Sequence, residues 1–133
     1  MGLLLGIAVP IYSSFTEQAQ RSQSIADLAT IQMAVQDYWA ANLALPDALA
    51  QVNADTTTDP WGNEYQYLRI EGNPGVNQGQ VRKDKNLNPI NTDYDLYSFG
   101  PDGVSARALT AAKSRDDIIR AGNGSFTGVA EDF

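Results

Sequence analysis

Two hydrophobic patterns share the first 42 residues. Residues 2–12 (GLLLGIAVPIY) are apolar and carry no charge. From Ser13 to Asn42 there is no glycine or proline, and Ile25, Leu28, Gln32, Val35, Trp39 and Asn42 recur at three- and four-residue spacing. Ile31 and Tyr38 widen this stripe, while Gln18, Arg21, Gln23, Asp27, Gln36 and Asp37 fall mostly on the other faces. Such spacing predicts an amphipathic helix, with Val35 and Trp39 buried against a sheet. Pro46 ends the pattern, because it has no N–H to donate and restricts Leu45. With its apolar start the helix runs about 40 residues, or about 60 Å, longer than a domain of this size is wide. A stalk is therefore expected to protrude. Pro10 removes one helical hydrogen bond and predicts a kink or a locally melted turn. The apolar run falls short of the about 20 residues that span a bilayer. With no basic n-region or cleavage site, it reads as the second half of an apolar helix whose beginning lies outside the chain.

Beyond Pro46 the period changes. Residues 47–52 suit a short helical turn, and 53–63 read as loop. Residues 64–70 (EYQYLRI) and 93–99 (DYDLYSF) alternate and are rich in β-formers, predicting two strands. Tyr65 and Tyr67 share one face of the first, Leu68 and Ile70 the other. Residues 71–92 read as a long loop with one weak strand at 80–82. Gly100-Pro101-Asp102-Gly103 is a turn. Ser114 followed by Asp117 resembles a capping box, predicting a short helix that ends near Gly122. Residues 125–129 add an edge strand. The expected organisation is α+β: a partial apolar stalk at 1–12, and a globular domain at 13–133 that includes the helix to about 42.

Composition narrows the chemistry. The chain has 133 residues, one domain on length alone, and no cysteine or histidine. That excludes disulfide scaffolds, thiolate or imidazole metal sites, and Ser-His or Cys-His hydrolases. A bound metal must be a hard cation held by oxygen. Nine basic residues against sixteen acidic ones give a net charge of −7, so a nucleic-acid partner is not expected.

Three groups of residues then resemble a known family. The segment GLLLGIAVPIY leading into a polar amphipathic helix resembles the later part of the type IV pilin-like N-terminal helix. The segments DPWGNEYQY (59–67) and YDLYSFGPDG (94–103) resemble the C-terminal domain of the major pseudopilin of type II secretion systems. The resemblance covers nearly the whole chain and is weakest over 71–91. It implies a pilin-like fold, a long N-terminal helix packed on a small antiparallel sheet with a C-terminal loop region. It also implies a structural, non-enzymatic role as a subunit of a periplasmic pseudopilus that drives protein export. The partners implied are copies of itself in a helical filament, other pseudopilins and an inner-membrane assembly platform. Before assembly the subunit would be held in the inner membrane by a single pass; afterwards it would lie in a periplasmic or extracellular filament. Leu4, Ile7, Ile11 and Phe15 are the expected filament contacts. The leader, the processing site and the methylated residue of that family precede the first residue here, so the chain is expected to be N-terminally truncated. Residues after Gly103 form a longer stretch than the family's usual acidic loop. This leaves a minor pseudopilin or a type IV pilus subunit as alternatives.

The same resemblance implies calcium, held by Asp102, Asp116, Asp117 and the backbone carbonyl of Phe99. Read from sequence alone, Asp116 and Asp117 equally suit the first turn of a capped helix, and Asp102 an ordinary turn. Asp93 and Asp95 read as a solvated strand face or a loop anchor, or as outer ligands to the same ion. Trp39, Tyr38, Trp61, Tyr65, Tyr67, Tyr94, Tyr97 and Phe99 read as core between helix and sheet, or as a sugar platform. Two rival classes are therefore a membrane-tethered hydrolase using paired carboxylates and a tethered sugar-binding module.

Overall fold

The computed structural model describes residues 2–76, 79–84, 86–103 and 116–133, with side chains from Phe15 onward. Helix α1 spans Gly2–Asn42. It is unbroken at Pro10, so the expected local melting does not occur; one missing donor leaves the flanking turns bonded. Leu43 ends the helix in a left-handed conformation, φ 54°, and returns its N–H to the Trp39 carbonyl at 2.7 Å. A short 3-10 helix follows at Leu49–Val52.

Four strands form one antiparallel sheet in sequence order: β1 (Gln66–Arg69), β2 (Tyr94–Ser98), β3 (Ile118–Ala121) and β4 (Phe126–Val129). The fold is α+β, a long helix on a small antiparallel sheet, consistent with a pilin-like architecture. Tyr67 pairs with Leu96, Ser98 with Ile118, and Ile118 with Val129. Leu28, Ile31 and Val35 of α1 pack on Tyr65, Tyr94, Leu96 and Ile118. A second cluster, Ile90, Ile119, Ala121 and Ala130, is built from the alternate positions of β3, from the chain before β2 and from the residue after β4. The sheet is thus covered on both faces, and β2 and β3 are buried at nearly every position.

Three expectations are corrected here. The short helix expected to end near Gly122 is not formed among the described residues: 118–121 are strand β3, and Ser114 lies outside the described residues. Ile118 and Ile119 face opposite covered sides and Arg120 is buried as well, so the run shows no two-residue alternation and mimics a buried helix segment. Trp39 is 43% exposed. It lies one turn beyond Val35, where Leu45, Val52 and Trp61 close the end of the core instead. Residues 80–82 form no strand; Val81 and Arg82 are nevertheless buried, and Lys83 bridges to Pro89.

Candidate functional site

The two motifs that carry the family resemblance meet in space. Asp59 is buried, and its Oδ1 accepts the backbone N–H groups of Trp61 (3.1 Å) and Asn63 (2.8 Å). The Ser98 hydroxyl donates to Asp59 Oδ2 at 2.6 Å and accepts the Gly100 N–H at 3.0 Å. Asp59 thereby fixes its own loop and, through Ser98, the exit of β2 into the Gly100–Gly103 turn. Gly100 has φ +73°, and a Cβ there would stand 2.4 Å from the Asp116 carbonyl. Only glycine lets the turn lie this close to the chain entering β3.

That approach gathers Asp102, Asp116 and Asp117, each offering a carboxylate oxygen within 4.8 Å of the others. The Asp102 N–H donates to Asp116 Oδ2 at 3.3 Å. Asp116 Oδ1 is buried and meets no hydrogen-bond donor among the described residues. Burial, and after it the charge of Asp102, push the Asp116 carboxyl above its ordinary value. Acids crowded in this way, with one buried oxygen left over, fit a hard cation by the chemistry of the donor set. Phe99, at the end of β2, stacks its ring on Tyr97 at 5.9 Å between centroids.

Asp117 differs from the other two. It is fully buried, and its Oδ2 accepts from Arg82 Nη2 at 2.8 Å. Arg82 is 3% exposed and lies over the Tyr97 ring, 4.3 Å from its centroid. Sequence reasoning missed Arg82, which sits in a stretch rich in glycine and asparagine with no periodicity to mark it as buried.

Asp93 and Asp95 stand apart from the acidic cluster. Asp95 is 1% exposed and accepts the Arg82 N–H (2.8 Å) and the Asn91 side chain (3.1 Å), so it anchors the loop rather than facing solvent. Burial raises its carboxyl above the ordinary value, against the hydrogen bonds from Arg82 and Asn91. Asp93 receives both Nη atoms of Arg120 at 2.8 Å. Arg120 in turn reaches Gln32 of α1 at 3.0 Å and covers the Tyr94 ring at 3.9 Å, tying helix to sheet. A depression of about 260 Å³ is lined by Asp47, Leu49, Asp55, Glu64, Tyr65 and Tyr67 among others. The raised carboxyls Asp95 and Asp116 lie outside it.

Phe15 is 65% exposed. The side chains of Leu4, Ile7 and Ile11 lie outside those described. Among the described residues no helix is long and apolar enough to cross a membrane.

No known family profile and no solved structure matches the chain. It is similar to the type II secretion system core protein G of Klebsiella pneumoniae, with 28% identity across 89% of this chain and 81% of that protein. That similarity supports a place among the pseudopilins.

Proposed function

We propose that the protein is a structural subunit of a type II secretion pseudopilus, polymerising through its N-terminal helix. The observation that carries this is the similarity, along 89% of the chain, to a protein named for that system. The physics agrees. Among the described side chains the buried face of α1 begins near Ser24, and Phe15 is largely exposed, which leaves residues 15–23 available to neighbouring copies. In the membrane such a helix is covered by lipid; in a filament, by other helices. Head-to-tail contacts of this kind generate open helical assemblies. The implied partners are copies of this chain, other pseudopilins and an inner-membrane assembly platform, and the implied location is the inner membrane and then the periplasmic filament. The test is Ile7→Asp in cells carrying the protein with its complete natural N-terminus. Filaments should be lost while the protein is still made; unchanged filaments refute the assembly role.

The reading includes a structural calcium ion. Asp102 and Asp116 would hold it with their carboxylates, Asp117 with the oxygen not given to Arg82, and Phe99 with its carbonyl. Bound there, the ion would neutralise the clustered acids and fasten residue 102 to residue 116. Calcium at a hundred times the dissociation constant should then stabilise the wild type by about 2.7 kcal/mol relative to chelator, read as a raised melting temperature. Asp116→Asn should remove the response and keep the fold. Asp117 is a poor choice for this test: its loss strands a buried guanidinium at about 3–5 kcal/mol, with or without the ion. Coincident wild-type curves would end the calcium reading.

A further inference from the structure

We propose that Arg82 is a countercharge built into the acidic cluster, and that it weakens cation binding there while keeping the cluster folded without an ion. This rests on the calcium reading above. Arg82 Nη2 is 2.8 Å from Asp117 Oδ2, and both side chains are withdrawn from solvent, at 3% and 0% exposure. Asp117 shares its carboxylate with the group formed by Asp102 and Asp116, all within 4.8 Å. A cation held by this group therefore has a guanidinium bonded to one of its own ligands. On the Asp117 side, where the ion pair is buried, repulsion between the two positive charges is screened less than on the exposed Asp102 side.

Neither partner depends on the other for its backbone position. The Asp117 carbonyl accepts the Ala130 N–H at 2.8 Å, and β3 begins at the following residue. Arg82 donates its N–H to Asp95 at 2.8 Å and accepts the Ile90 N–H at 3.1 Å. Its guanidinium also rests on Tyr97. Removing that charge thus alters the field at the cluster more than the placing of its ligands. Cation affinity follows the number of uncompensated ligand charges. Three carboxylates facing one guanidinium hold an ion less firmly than three carboxylates alone. Arg82 positions nothing on the ion itself; it acts through Asp117, and it links the covering segment of residues 79–84 to the state of the cluster.

The experiment is calcium titration of the purified protein by melting and by calorimetry, for wild type, Arg82→Gln and Arg82→Lys. Arg82→Gln should bind calcium at least about tenfold more tightly, and should lose more melting temperature in chelator than in calcium. Arg82→Lys keeps the charge and should stay within about threefold of the wild type. A wild type that responds to calcium beside an Arg82→Gln that binds equally or more weakly overturns the countercharge role and leaves the calcium reading standing. A wild type with neither heat nor melting shift overturns the calcium reading, and this proposal with it. Should Arg82→Gln fail to fold even in saturating calcium, the wild type decides. Its Arg82 Nε–Hε signal in nitrogen-15 spectra should move with the same half-saturation as the melting curve, and an unmoved signal overturns the coupling.

Discussion

At the scale of single residues, position relative to the sheet outweighs side-chain size. Leu28 is fully buried among Ile31, Tyr94 and Leu96, whereas Trp39 is 43% exposed. Leu28→Ala should cost about 2–5 kcal/mol and Trp39→Ala less than about 1 kcal/mol, measured by denaturant unfolding. The helical spacing put both on one stripe, but spacing carries no information about where the sheet ends. Asp93 shows how charge is settled. Burial, the largest influence on it, would raise its carboxyl; the hydrogen bonds and charge of Arg120 and the Tyr94 N–H outweigh burial and hold it below 3.8. A carboxyl depressed in the folded state contributes stability above its unfolded value, and loses it as pH falls through the folded one. Asp93→Asn should therefore lower stability at neutral pH, with the difference from wild type shrinking below about pH 4 in melts across the acid range.

At the scale of elements, legibility followed burial on one side or on two. Helix α1 carries exposed positions between its buried ones, and β1, β2 and β4 carry clear β-formers, β2 in spite of being buried at all but Tyr97, so the sequence placed them within a few residues. Strand β3 was misread because its four residues are all buried, which erases the period that separates strand from helix. The covering segment was misread for the opposite reason: Val81, Arg82, Ile90 and Asn91 are buried without forming regular structure, held by the Asp95 carboxylate and by backbone bonds. In the candidate site the acids Asp102, Asp116 and Asp117 were legible through resemblance, while Arg82 was not. The Asp59 latch lies at this scale, since one carboxylate orders two loops and a strand end. Asp59→Ala leaves two N–H groups and the Ser98 hydroxyl without their acceptor. It should cost about 2–3 kcal/mol in unfolding experiments, and Ser98→Ala, which keeps the loop bonds, should cost less.

For the whole molecule, the core and the first turns of the helix should be separable. Every buried residue of α1 among those with described side chains lies at or beyond Ser24. A form beginning near residue 15 should melt like the intact chain and fail to join filaments, the counterpart of the Ile7→Asp test; a large drop in melting temperature would mean that residues 2–14 also support the domain. The other end of the chain is not separable. Helix α1 has its most extensive sheet contacts with β4, the last strand, and Gln32 reaches Thr127 across 95 positions at 3.3 Å. The first and last elements therefore close on each other, although every strand pairs with its neighbour in sequence. For a chain emerging from a ribosome or a membrane pore, the sheet can begin as a meander, yet its contact with the helix stays incomplete until β4 (Phe126–Val129) is out. Until then Leu28, Ile31 and Val35 lack part of their cover, and the arrival of β4, more than strand pairing, sets when the core closes.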